Sequence, residues 1–466
     1  MKKFKKITRK EPIRTWKTHR KLFLCVLVCF AFVYAIESHL GVINGPPWWK
    51  WPWQRLSLSK MIICLSIAAI PFALGQWMVE TKRWSYRQAL RVVAVSLFLL
   101  QLLAVGQREN PFSLNIASRM VEHEAITSYY TDAVTLHKSN TGVRKFLADY
   151  PQYPQRLTLH SKTKPPGPVL FYWMNIALFG AGQRAATVAA LLNAILAGLG
   201  VYAVFFLIRA VSRGDEARGF HGASVFALLP GMVVIHPIQD QMLPLLTCGM
   251  LGAWVWALEN RSRAMALGYG LFAAFALFFS YSLTTLIFFL AGYTVIFTGL
   301  QQWRLRPIFI QVCFALLGFT LFYGLMWLFF RYDAWASFQS TLAEQRLLLG
   351  SLRRPYPATI YWDLHDFFIL GFGGVATLLV LLSAFREQPW RDRAIVLMGI
   401  AQVLFVAVTG LIQSETARVF LFMTPVLAIG AGYELSRWIP VERAVNYLCM
   451  LILIMAIARN VVFLWI

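Results

Sequence analysis

The acidic residues Glu122, Glu124 and Asp132 lie close together in the sequence. A carboxylate whose pKa sits near working pH can act as a general base. Glu124, Ser128 and Asp132 are spaced by four, so a helix there would carry both carboxylates on one face. Further on, the run His160-Ser-Lys-Thr-Lys164-Pro165-Pro166-Gly167-Pro168 enters the apolar stretch VLFYWMNIALFG. Prolines suit a helix start, where a missing N–H costs nothing. Lys164 would then stand beside a helix N-terminus, which itself favours anions. That pairing is the chemistry of a phosphate or pyrophosphate site; the competing account is a proline-rich turn with a snorkelling lysine.

Three other groups of residues qualify. Glu415-Thr-Ala-Arg418 precedes an apolar run, with Ser414 as a candidate N-cap. A guanidinium there can grip a phosphate bidentately, or pair with Glu415 at i, i+3. His236-Pro-Ile-Gln-Asp240 forms a tight hairpin between two apolar runs, where an ionisable pair marks a site or caps the turn. Tyr361-Trp-Asp363-Leu-His365-Asp366 offers ligand types that suit divalent ions, although a solvated loop is the expected reading. Arg346, Arg353 and Arg354 add positive charge nearby.

The elements that must position these residues are set by composition. The chain has 466 residues, 58% hydrophobic and 14% charged, against about 25% charged for a soluble domain. Apolar runs of membrane-spanning length recur at about 22–40, 58–79, 87–106, 184–211, 222–236, 241–258, 265–281, 283–300, 307–330, 367–385, 394–412, 419–436 and 444–464. The expected fold is therefore an all-α polytopic membrane protein with about 13 transmembrane helices. The six cysteines all fall inside apolar runs, so no disulfide framework is implied. The stretch at 169–180 is too short to span and is expected as an interfacial or re-entrant helix. Val143, Phe146, Leu147 and Tyr150 follow i, i+3, i+4, i+7, which predicts a short amphipathic helix.

The formal net charge is +23. With the N-terminus on the cytoplasmic side, the basic residues fall in alternate loops, among them Arg213 and Arg218, Arg261 and Arg263, and Arg386, Arg391 and Arg393. This positive-inside bias accounts for the charge through orientation in the membrane, so nucleic acid is not expected as a partner. Two long segments, 107–182 and 331–367, fall on the outer side. Long non-spanning segments in a compact protein are more often functional than idle.

Taken together, these residues resemble the GT-C class of integral-membrane glycosyltransferases. The comparisons are protein O-mannosyltransferases and the aminoarabinose transferases of lipid A. The matching stretch is His160–Arg184, which looks closest to bacterial members with a His-Pro-Pro-Gly-Pro-like motif, Lys164 replacing the histidine. Glu415–Arg418 is similar to a feature of the same proteins, and Glu122-His-Glu124 resembles a variant of their acidic motif, with Asp132 as a competitor. The resemblance implies a GT-C-like fold with juxtamembrane helices in a long first catalytic outer loop. Residues 1–86, a basic cytoplasmic terminus plus two helices, are an addition; 87–300 is the catalytic module and 301–466 supplies C-terminal helices. It also implies a bacterial inner-membrane location and an extracytoplasmic active site. The donor would be a polyprenyl-phosphate sugar and the acceptor a glycan, lipid or protein, with membrane lipids as surroundings. Glu124, Asp132 or Glu122 would be the base, and Lys164 and Arg418, with His160, would hold the donor phosphate. A divalent cation is a possible cofactor. The alternative is a transporter or flippase for a lipid-linked or anionic substrate, which would place ionisable residues at mid-depth of its spans.

Overall fold

In the computed structural model the chain is described over residues 16–38, 40, 57–106, 113–124, 126–234, 237–300, 305–351, 354–413 and 415–460. Among them every regular element is helical. Ten helices are long and apolar enough to cross a membrane, and an eleventh span arises if Ala358–Gly371 and Gly374–Phe385, bent by 104°, count as one. The runs expected at 265–281 and 419–436 form shorter apolar helices, Arg263–Phe279 and Leu421–Leu435. The protein is thus a polytopic membrane protein, and its spans are helical because lipid offers no partner for unpaired backbone groups.

The bundle has two chemically distinct ends. At one, acidic side chains collect the arginines of the loops. Glu434, fully buried, takes Lys21 at 2.9 Å and Arg386 at 2.8 Å. Arg218 meets Asp392 at 2.7 Å, and Arg391 meets Glu259 at 3.0 Å. This basic end ties the first helix, Trp16–Glu37, to the body. The other end of that helix is pinned to the last helix, Pro440–Asn460, by Arg459 and Glu37 at 2.9 Å.

The opposite end carries the two long connecting segments, and they pack on each other. The first contains short helices Asn115–Glu122, Tyr129–Lys138 and Val143–Ala148, then Gly167–Phe179. The stripe expected at 143–150 faces inward: Phe146, Leu147 and Tyr150 are buried while Arg144 and Lys145 are exposed. The second contains helix Ala334–Ser351, which lies across the first like a strap. Its Glu344 reaches Lys162 at 3.6 Å, and its Gln345 donates to the Leu411 carbonyl at 3.1 Å.

Two expectations fail here. Glu124, Ser128 and Asp132 do not share a helix face. Ser128 adopts a left-handed conformation (φ 58°), so the helix starts only at Tyr129 and Glu124 stays outside it. The segment Tyr361–Asp366 is not a solvated loop either. It ends helix Ala358–His365, and Asp363 and Asp366 are buried.

A lateral groove of about 1010 Å³ runs along helices Gln183–Val211, Leu243–Glu259 and Arg263–Phe279. Neither Lys164 nor Arg418 lines it.

Candidate functional site: a charged cluster at one end of the bundle

The cluster is built around Arg418, which is 6% exposed. Its Nε lies 3.3 Å from Asp240 Oδ2 and one Nη lies 2.9 Å from Glu415 Oε2. Its other Nη donates to the carbonyl of Ile126 at 2.8 Å. One guanidinium therefore joins three segments that are distant in sequence: the 126–128 turn, the 239–242 turn and the 415–419 turn. A planar fork of donors suits such a junction, where a lysine could satisfy only one partner well.

The turn bearing Arg418 is held from below. Asp366 Oδ2 accepts from the Ala417 N–H at 2.7 Å and from Thr416 Oγ1 at 3.1 Å. Thr416 Oγ1 also donates to the Asp363 carbonyl at 2.6 Å. The turn rests directly on Gly231 and Gly371; a Cβ on either would come within 2.8 Å of the Ala417 backbone. Glu415 itself is left-handed (φ 51°), a conformation that costs about 1–3 kcal/mol and persists only where surroundings enforce it.

Ser128, also left-handed, is stitched to the Lys164 segment. Its Oγ accepts from the His160 N–H at 3.1 Å and from the Ser161 N–H at 3.3 Å. Lys164 then follows in extended backbone, as a residue before proline should. Its carbonyl accepts the Tyr150 hydroxyl at 2.6 Å. The Pro-Pro helix begins at Gly167, where only glycine fits: a Cβ would stand 2.3 Å from the Phe278 carbonyl oxygen.

Lys164 forms no ion pair among the described residues. Burial pushes its ammonium below the ordinary lysine value; Asp240 draws it back up and Arg418 lowers it further. Burial would raise Glu415, but Arg418, His160 and Arg354 outweigh it and hold the carboxyl below the ordinary range. These field effects place Lys164, Arg418, Asp240, Glu415, His160 and Arg354 in one neighbourhood. Three cations, Lys164, Arg354 and Arg418, thus stand among Asp240 and Glu415, while Asp363 and Asp366 lie beneath the 415–419 turn and Asp363 also acts on Arg354.

Asp132, Glu124 and Glu122 belong to the first connecting segment. Asp132, 5% exposed, accepts from Thr158 Oγ1 at 2.7 Å and from its N–H at 3.2 Å. Burial raises its pKa, the Ser161 and Thr158 hydrogen bonds lower it, and Glu124 raises it. Glu124 is exposed. Glu122 is half-buried and burial raises its carboxyl. Neither forms an ion pair with Lys164 or Arg418. His236, Ser414 and Arg353 lie outside the described residues. Among the described residues no three of His, Cys, Asp and Glu converge as a metal-ligand set.

Several members have no local sequence signal. The Ile126 carbonyl and Thr158 act through long-range contacts. Asp366 had one partial signal, a carboxylate beside an apolar run, which also fits a loop. No known protein family matches this sequence, and no curated protein matches it either.

Proposed function

We propose that this protein is a GT-C-type glycosyltransferase of the bacterial inner membrane. It moves a sugar from a polyprenyl-phosphate carrier to a glycan, lipid or protein acceptor on the extracytoplasmic face. The observation that carries this reading is the convergence of Lys164 and Arg418 with Asp240 and Glu415 at the end of the bundle opposite the arginine-rich loops. By the positive-inside bias that end is extracytoplasmic.

In the reaction the acceptor hydroxyl oxygen bonds to the anomeric carbon, and the carbon–oxygen bond to the carrier phosphate breaks. The bonding pair leaves with the phosphate, and the hydroxyl proton passes to a carboxylate. Lys164 offsets the charge developing on the phosphate, where fixed electrostatics gain most. Arg418 shapes the pocket by holding Asp240 and the Ile126 turn, and contributes its charge. Among the candidate bases Glu124 is favoured, because it is exposed while Asp132 is committed to Thr158. Glu122 ranks third, half-buried at the end of its helix.

The test is transfer from a polyprenyl-phosphate sugar by the purified protein in nanodiscs. Glu124→Gln should lower turnover at least 100-fold with the fold intact, in line with the usual weight of a general base. Wild-type turnover in Glu124→Gln, Glu122→Gln and Asp132→Asn alike would remove the assigned base. The lateral groove is the observation that favours the alternative, a lipid transporter or flippase. Movement of labelled lipid between leaflets of proteoliposomes, without sugar transfer, would establish it instead.

A further inference from the structure

The lateral groove has a polarity of its own. It extends from Met242 to Asn260 along one helix, about 27 Å at 1.5 Å per residue, close to the thickness of a bilayer's hydrocarbon core, about 30 Å. Its rim is exposed and apolar, with Phe206 at 49% and Trp256 at 55%. Gly249, Gly252 and Ala253 line it from the same helix. At Gly252 a Cβ would meet nothing within 4 Å, so glycine there leaves open space that a helix-forming residue could fill.

The charged residues lining the groove, Arg209, Arg213 and Glu259, all stand at the basic end, whereas the end nearer the charged cluster is formed by Phe171, Met242 and Phe279. Glu259 is occupied by Arg391 and Tyr293. Glu216 is shared by Arg87 and Arg209, at 3.2 and 3.5 Å. Arg213 has no ion pair among the described residues. The basic end of the groove thus keeps a positive excess, and basic residues near the cytosolic surface attract anionic lipid.

We propose that the groove is a binding site for one anionic glycerophospholipid of the cytosolic leaflet. Its phosphate lies against Arg209 and Arg213, and its acyl chains lie along Gly249, Gly252 and Trp256. The charge distribution selects this occupant over the isoprenoid tail of a carrier whose phosphate sits at the other end, since that end of the groove offers no cation. The inference stands independently of the glycosyltransferase reading.

The experiment is native mass spectrometry of the full-length protein released from nanodiscs of phosphatidylcholine doped with phosphatidylglycerol. Wild type should retain one phosphatidylglycerol with at least a tenfold preference. The double variant Arg209→Gln/Arg213→Gln should bring that preference to within twofold, with an unchanged circular dichroism spectrum. Gly252→Leu should lower retention of either phospholipid at least fivefold while leaving both arginines in place, so it tests the groove even where the arginine variant folds poorly. Equal retention of the two lipids by wild type, or wild-type retention by Gly252→Leu, overturns the proposal. So does a polyprenyl phosphate that takes the phospholipid's place and is lost on Gly252→Leu.

Discussion

Replacing Arg418 by alanine removes the common partner of three segments, and its cost can be worked from the contacts. Asp240 and Glu415 lose a cation at 3.3 and 2.9 Å, and the Ile126 carbonyl loses a donor at 2.8 Å. Breaking a buried pair from one side typically costs about 3–5 kcal/mol, because the remaining charge stays buried. The Asp240 and Glu415 side chains keep 14% and 29% exposure, so water recovers part of this and about 2–4 kcal/mol is expected. The strained Glu415 turn should relax as well. Unfolding in mixed detergent micelles gives the energy, and hydrogen exchange at 126–128 and 415–419 gives its location. The pH dependence supplies a second readout. Glu415 is held below its ordinary value, so its contribution is present above about 4.5 and is lost as pH falls through the lower folded value. Without Arg418 the folded value rises toward the ordinary one, so the contribution shrinks and its loss is complete at a higher pH. Asp240→Ala combined with Arg418→Ala should show a coupling of at least about 1 kcal/mol. A destabilisation under about 0.5 kcal/mol together with zero coupling would refute the reasoning.

Asp132→Asn should change stability by less than about 1.5 kcal/mol, since an amide oxygen still accepts from Thr158 while the cost of a buried charge disappears; a loss above about 3 kcal/mol on thermal unfolding would contradict this. Lys164 must be protonated to hold an anion, and its pKa lies below the ordinary lysine value. Affinity for a lipid phosphate should therefore fall as pH rises through a value below 10.5, and Lys164→Arg should remove that alkaline loss. Titration of binding between pH 7 and 10.5 checks it, and identical profiles for the two proteins would count against it. Gly167→Ala should destabilise by about 1–3 kcal/mol, because a Cβ 2.3 Å from the Phe278 carbonyl forces backbone to move; a melting temperature equal to wild type would disprove the close contact.

The membrane fold was legible because hydropathy is a local property. The apolar runs fell on helices, and the run after Pro166 formed a helix of 13 residues, Gly167–Phe179. The amphipathic stripe at 143–150 was readable for the same reason. The shared face of Glu124 and Asp132 was not, because Ser128 gives up helical geometry and accepts hydrogen bonds from His160 and Ser161 instead. A spacing of four cannot reveal that competitor. Asp363 and Asp366 read as loop residues because their burial depends on the 415–419 turn, some 50 positions away. Arg418 is marked by its place before an apolar run and Asp240 by its tight hairpin, but that they pair follows only from how helices pack. Local patterns thus named most members of the cluster, and tertiary contacts decided which ones meet.

The claim that matters most is that Lys164 and the Arg418 junction form a site for a lipid-linked phosphate. Its most direct test is retention of undecaprenyl phosphate, measured by native mass spectrometry of protein released from doped nanodiscs, for wild type and Lys164→Gln. The account predicts one carrier lipid retained by wild type and at least a tenfold loss in the variant. Equal retention by the two proteins, or none by wild type, would contradict it.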